Sequence, residues 1–391
     1  MSYRINPEMT ADIKAFGGTA INKCFNCGNC TAICSLSKED TVFPRKIIRY
    51  LQLGMEDRLM ESPEPWLCYY CGDCSVTCPR EAAPGELMMA ARRWLTSRYD
   101  WTGLSRKLYL SAAWEFGLLV GTALVVLALF LVPGYFGARF GFQAIQGEAL
   151  EQVRLDLFAP KDWIHYGDWA LAALLTLLLS INAFRMIFFL RRAEGGLSIP
   201  ATIWLGEIPT LFRHALTQKR WLECDNDTRR RWLQHLLLVT GYGTMFMLVV
   251  FFLPWFQRDG ADFHWTALFG YYATLVLLGV TVMAMRGRWT KSEPLYQYSH
   301  ATDWMFLVLL FLTALSGILL HLCRLLDLPW PTYVLYVAHL MIAVPMLIIE
   351  VPFGKWLHLV FRPVAQYLVA VKKAAHERQA GRETKAQPSL A

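Results

Sequence analysis

The stretch Cys24-Phe25-Asn26-Cys27-Gly28-Asn29-Cys30-Thr31-Ala32-Ile33-Cys34 is repeated in spacing by Cys68-Tyr69-Tyr70-Cys71-Gly72-Asp73-Cys74-Ser75-Val76-Thr77-Cys78, which Pro79 follows. Eight of the ten cysteines thus fall in two copies of C-x2-C-x2-C-x3-C, the ligand run of a bacterial two-cluster ferredoxin. Three thiolates on one tight loop reach three irons of a cubane, while the fourth, beyond a short helical turn, crosses to the other cluster. The expected ligand sets are therefore interleaved. One [4Fe-4S] cluster takes Cys24, Cys27, Cys30 and Cys78; the other takes Cys68, Cys71, Cys74 and Cys34. Gly28 and Gly72 suit the turns, and Ser35 stands where a proline often follows the fourth cysteine.

Two other uses of cysteine compete with this reading. A disulfide framework belongs to an oxidising compartment, and no signal peptide stands ahead of these cysteines. Paired zinc sites with all-cysteine ligation are chemically sound, but zinc does not call for this run twice. Cys224 and Cys323 stand apart and read as inert thiols.

Working outward, the chain of 391 residues is 55% hydrophobic and carries 15 tryptophans, which points away from an ordinary soluble globule and toward a membrane protein. The net charge is +7. Its basic residues sit between apolar spans and not in a run interleaved with aromatics, so the charge reads as topology and no nucleic-acid partner is expected. Residues 1–105 contain no membrane-length apolar run and form the ferredoxin-like domain. Within it, Ile47, Ile48, Leu51 and Leu53 after Pro44 give a helical period for a connecting helix. A second helix follows Pro84, with Arg92, Arg93 and Arg98 available for lipid headgroups, a partner or solvent.

Six apolar segments follow, near 112–133, 168–190, 232–255, 266–285, 302–323 and 332–353, each close to the ~20 residues a spanning helix requires. The expected fold is mainly α, a small two-cluster ferredoxin domain followed by a six-span transmembrane bundle over 106–365 and a cytoplasmic tail over 366–391, where apolar periodicity fades into a frayed helix. With reduced cysteines placing the ferredoxin domain in the cytoplasm, the linkers 191–231 and 286–301 and the segment after 354 fall inside. These hold most of the basic residues between and beyond the spans, among them Lys219 and Arg220, while the outer linkers hold only Arg139, Arg154, Lys161, Arg258 and Arg324. The positive-inside rule and the thiol argument thus agree on a multi-pass protein of the cytoplasmic membrane.

Five histidines lie at or within these helices. His235, His300 and His358 fall near the cytoplasmic face, His321 and His339 toward the outer one. His339 lies inside the apolar run LYVAHLMIAV, where an ionisable group is costly and is by default a functional candidate. Haem is the natural partner, because helical bundles hold cofactors on inward-facing side chains and imidazole is a common axial ligand. His339 and His358 are 19 residues apart, or ~28 Å along an ideal helix, so one helix is expected to serve two stacked haems. Their phases differ by ~100°, a mismatch that Pro345, Pro352 or a π-bulge between them can correct. His165 and His264 are placed on outer linkers. Arg185 and Glu350, buried by position in the second and sixth spans, are charged candidates for a quinone site or a structural ion pair.

Cysteines and histidines together carry a resemblance. The N-terminal domain resembles the iron-sulfur C subunit of heterodisulfide reductase in both cysteine runs and in FPRKIIRYLQLG between them. The spans from about 168 onward resemble the dihaem cytochrome b of the heterodisulfide reductase E and respiratory nitrate reductase gamma type, in RRRWLQHLLL around His235 and AHLMIAVPMLIIEVPFGKWLHLVFRP around His339 and His358. The fusion is similar to the membrane-subunit family, the C subunits, of the quinone-interacting membrane-bound oxidoreductase (Qmo) complexes of sulfur-metabolising bacteria.

The resemblance implies two haems b, menaquinol as donor, and cytoplasmic FAD/iron-sulfur flavoprotein partners of the Qmo A and B kind, with adenylylsulfate reductase as final acceptor. His235 with His358 is the expected inner axial pair, with His300 as competitor. In the nitrate-reductase type a second ligand stands ten residues beyond the first on the third span; here that position is Met245, and His321 is expected to replace it opposite His339. Two rivals remain open: a heterodisulfide-type or sulfite-reductase-linked ferredoxin-cytochrome subunit, and a haem-free membrane anchor.

Overall fold

The computed structural model describes residues 4–37, 42–132, 140–192, 199–218, 222 and 228–386, without the side chains of 228 and 380–386. Cys224, Arg139, Lys219 and Arg220 lie outside the described residues. The protein is mainly helical, with no strand among the described residues. Among the described residues, six helices are long and apolar enough to cross a membrane: Ala112–Leu131, Lys161–Arg192, Arg229–Val250, Ala267–Thr290, Ala301–Leu325 and Pro329–Phe353. They are the first to sixth spans below. The chain divides into two compact units, one of Met1–Arg106, Ser180–Trp232 and Leu357–Ala391, the other of Lys107–Leu179 and Leu233–Trp356.

In the first unit, helices Met9–Ala15, Arg45–Leu53 and Pro84–Tyr99 pack around Met9, Ile13, Phe16, Ile47, Ile48, Leu51 and Trp94, all buried. Each such side chain contributes about 1.5–3 kcal/mol of burial. Leu53, expected on the same buried stripe, is exposed. It stands in the last turn, where Gly54 at φ 69° reverses the chain and its carbonyl accepts from the Asn6 N–H at 2.8 Å.

Helix Pro84–Tyr99 also corrects an expectation. Arg92, Arg93 and Arg98 face protein and not lipid: Arg93 pairs with Glu86 at 2.9 Å, Arg98 with Glu56 at 2.7 Å, and Arg92 donates to the Pro65 carbonyl at 2.6 Å. Arg93 is buried, where a cation persists only when paired and hydrogen-bonded, and all three arginines tie this helix to other protein groups. The C-terminal helix His358–Ala386 runs well past residue 366. Phe361, Ala365, Leu368, Val371 and Ala375 form a buried stripe at helical spacing, so the apolar period extends past the point where it was expected to fade.

In the second unit the fifth and sixth spans form an antiparallel hairpin, and the first and fourth spans pack against it. The second span helix begins at Lys161, so His165 lies in its first turns and not on a linker. The connection from the first span to the second is itself packed: Phe130, Val153, Phe158, Tyr333 and Tyr336 share one buried cluster. There the Tyr333 hydroxyl accepts from the Arg154 N–H at 2.9 Å and donates to the Ala149 carbonyl at 3.1 Å.

Candidate electron-transfer centre

The two cysteine runs fold alike because the same backbone problem recurs. Gly28 at φ 93° and Gly72 at φ 94° open the short helices Asn29–Ile33 and Asp73–Val76, a conformation that costs L side chains energy and glycine little. Two residues before each glycine, Asn26 (φ 56°) and Tyr70 (φ 57°) are also left-handed. Each turn aims a backbone N–H at sulfur: Asn26 to Cys24 Sγ at 3.4 Å, Tyr70 to Cys68 Sγ at 3.3 Å. The two short helices pack together, and Asn29 Nδ2 donates to the Thr77 carbonyl at 2.5 Å.

That packing brings Cys78 beside the first run and Cys34 beside the second. Cys24, Cys27 and Cys30 line one pocket with Cys78, Gly28 and Arg45. Cys68, Cys71, Cys34 and Cys30 are close enough to Cys74 to act on it electrostatically. Burial raises the Cys24 and Cys30 thiols, reinforced in both by Cys27 and Cys78 and in Cys30 also by Cys24. Burial pushes Cys71 up to about 12 and raises Cys74 strongly. Four thiolates so enclosed need a positive centre among them, which iron supplies on ligation. A single zinc ion would need its sulfurs ~2.3 Å from one point; among the described residues no three His, Cys, Asp or Glu side chains are placed to share one metal ion. The donor set fits two polynuclear clusters.

Residues 20–82 match the 4Fe-4S dicluster domain family. The chain carries this domain at its N-terminal side. Over 88 residues it is 38% identical to a protein of Archaeoglobus profundus described as like the C subunit of heterodisulfide reductase, covering 22% of this chain and 47% of that protein. It is 34% identical over 88 residues to the C subunit of the H(2):CoB-CoM heterodisulfide,ferredoxin reductase of Methanothermobacter thermautotrophicus, covering 22% of this chain and 48% of that one. For the iron-sulfur C subunit of the CoB-CoM heterodisulfide reductase of Methanopyrus kandleri the identity is 36% over 73 residues, 19% of this chain and 38% of the relative. The chain thus spans about half or less of the length of these relatives. No solved structure matches.

The histidines of the spans are sorted by their contacts. His339 Nδ1 lies 2.9 Å from Ser316 Oγ on the fifth span, and the absent side chain of Gly317 makes room for the ring, since a Cβ there would stand 3.3 Å from Cε1. A metal-bound histidine almost always engages its other nitrogen in this way. His339 therefore fits an axial ligand.

His321 has its own partner. Its Nε2 is 2.8 Å from the Tyr271 hydroxyl on the fourth span, and it stands five residues beyond the Ser316 level, ~7.5 Å along the helix. The two members of the expected outer pair thus hold different partners, His321 the Tyr271 hydroxyl and His339 the Ser316 hydroxyl. The single-helix arrangement of His339 and His358 is overturned. A π-turn does follow Pro345, over Met346–Glu350, but the helix ends at Phe353 and Gly354 is extended. His358 opens a new helix in the first unit, whereas His235 and His339 belong to the second. His300 caps the fifth span: its Nδ1 lies 3.0 Å from Thr302 Oγ, and its backbone N–H donates to Asp303 at 3.2 Å.

Of the charged candidates, Arg185 donates from Nε to the Tyr99 carbonyl at 2.6 Å and ties helix Pro84–Tyr99. Glu350 faces Glu115 of the first span instead, and both are almost fully buried. Glu115 was missed in the sequence, although an acidic residue three places into an apolar span is itself a signal.

Proposed function

We propose that this chain is a membrane electron-transfer subunit linking a menaquinone pool, through two haems b and two [4Fe-4S] clusters, to cytoplasmic flavoprotein partners of the Qmo A and B kind. Adenylylsulfate reductase is the proposed acceptor beyond them. The observation that carries this reading is the joining, in one chain, of a dicluster domain to six apolar helices, one of which presents His339 from an interior position. Bound clusters and haems supply one-electron chemistry. The chain's part is ligation and orientation. Cys24, Cys27, Cys30 and Cys78 hold one cluster, and Cys68, Cys71, Cys74 and Cys34 the other. Ser316 orients His339 toward one of the haems. The basic linkers keep the dicluster domain and the C-terminal helix on the cytoplasmic side.

Iron, acid-labile sulfide and pyridine haemochrome measurements on the purified full chain test the cofactors, and reduction by a menaquinol analogue tests the donor. A chain with clusters but without haem is the membrane anchor instead. The names of the archaeal relatives favour a second reading, a heterodisulfide-type ferredoxin-cytochrome subunit. Mass spectrometry of co-purified partners separates the two.

A further inference from the structure

Between the second and third spans, the helices Ala201–Gly206 and Ile208–Thr217 turn their apolar side the wrong way for water. Helix Ile208–Thr217 packs against the C-terminal helix His358–Ala386, and its Thr210, Leu211, His214 and Ala215 are half-buried. The exposed side chains are the large apolar ones: Leu205 at 66%, Ile208 at 38%, Phe212 at 58% and Leu216 at 68%. Ile208, Phe212 and Leu216 recur every four residues and so form one stripe. A helix on a water-facing surface buries such a stripe and shows its polar face; here the stripe points away from protein.

The attachments of this segment say what covers it. Trp204 lies 5.5 Å from the guanidinium of Arg191, in the last turn of the second span. At the other end, the Thr217 carbonyl accepts from the Trp232 indole at 2.9 Å, near the start of the third span. Both ends are thus fixed to the ends of spans, the level at which tryptophan and arginine meet lipid headgroups. The last turns of the second span expose Phe184 and Phe188 as well. Exposed Arg213 stands beside Phe212, and a cation flanking an apolar stripe suits an anionic lipid surface.

On its protein side the segment holds the C-terminal helix. The Tyr367 hydroxyl donates to the Trp204 carbonyl at 2.8 Å, and Arg378 Nη1 to Thr202 Oγ1 at 3.2 Å. That helix in turn meets the dicluster domain: the Phe361 ring stands edge-on to Trp66 at 4.8 Å, and Gln366 donates to the Tyr69 hydroxyl at 3.1 Å. Tyr69 directly follows Cys68.

We propose that helix Ile208–Thr217 lies in the plane of the membrane, with Ile208, Phe212 and Leu216 sunk into the acyl boundary of the leaflet nearest the dicluster domain. It is the seat on which the C-terminal helix holds that domain. The occupant of the stripe is lipid and not a partner protein, because a segment tied at both ends to span ends lies at the headgroup level. This rests on reading the six apolar helices as membrane spans.

Photocrosslinking of the full chain in vesicles of phosphatidylethanolamine and phosphatidylglycerol tests it. The photoreactive residue p-benzoyl-phenylalanine replaces Phe212, Leu216 or, in the second span, Phe184, one at a time, and adducts are read by mass spectrometry. The expected result is lipid adducts at Phe212 and Leu216 in yields comparable to Phe184. Adducts to a co-purified protein, or no lipid adduct at either helix position while Phe184 is labelled, overturns the proposal. Absence of lipid adducts at Phe184 is a different outcome, which removes the reading of the spans. The double variant Phe212→Ser/Leu216→Ser reads the seating role. In water, substitutions at such exposed positions change little, whereas a helix lifted from lipid frees its partner. Trypsin is therefore expected to cut the variant at Lys372 and Lys373 faster than wild type in the same vesicles, and an unchanged rate overturns the seating role.

Discussion

Ser316 Oγ on the fifth span and Nδ1 of His339 on the sixth lie 2.9 Å apart. One nitrogen of the imidazole is thereby held by a neighbouring helix. The ring is oriented by the helix hairpin and not by its own backbone.

Two graded losses are expected from this pair. His339→Ala removes one haem b from the pyridine haemochrome spectrum. Ser316→Ala keeps that haem but weakens its retention by about 10–100-fold, the usual cost of an outer partner to a metal-binding histidine. Haem titration of the two variants measures both, and equal behaviour of Ser316→Ala and wild type counts against the orienting role.

His321 gives the opposite expectation. Because its Nε2 is taken by Tyr271, His321→Ala retains both haems and loses about 1 kcal/mol of stability from one hydrogen bond. Haem content together with a thermal melt in detergent checks it. Loss of one haem would restore His321 as a ligand.

Cys78 meets Cys24, Cys27 and Cys30 although it belongs to the other run. Cys78→Ser is therefore expected to disturb the EPR signal of the cluster on the first run and spare the one on Cys68, Cys71 and Cys74. Damage confined to the second run contradicts the exchanged fourth ligands.

Gly54 and Gly103 both have positive φ, at 69° and 74°. An alanine Cβ at Gly54 would overlap the Asn6 carbonyl, whereas one at Gly103 meets nothing within 4 Å. Gly103→Ala should cost about 1 kcal/mol through the backbone alone, and Gly54→Ala an additional 1–3 kcal/mol or so from the clash. Denaturant midpoints by far-UV circular dichroism rank them, and equal costs contradict the tight contact at Asn6.

The cysteine runs and the six apolar stretches were legible in the sequence because both signals are local. Thiolate spacing on a tight loop is set within eleven residues, and transfer into lipid depends on the apolar content of one helix length. His339 was legible for the same reason, as one ionisable ring among apolar neighbours. The stripe of Phe361, Ala365, Leu368, Val371 and Ala375 was equally readable and was passed over because charged residues interrupt it.

What the tertiary structure decided was which side chains meet. Helix rotation and register are nearly degenerate in an apolar sequence, since Leu, Ile and Val fit either face. Nothing local distinguishes a His321 level with His339 from one bonded to Tyr271, or marks Glu115 as the neighbour of Glu350. The same holds for the arginines of helix Pro84–Tyr99, whose long side chains suit lipid headgroups or solvent in sequence. They turn inward because the carbonyls of Pro65 and Cys68 and the carboxylates of Glu86 and Glu56 are brought within reach. Ligand chemistry is a property of short segments, whereas the partners that orient and charge those ligands come from segments far apart in the chain and exist only once the helices have packed.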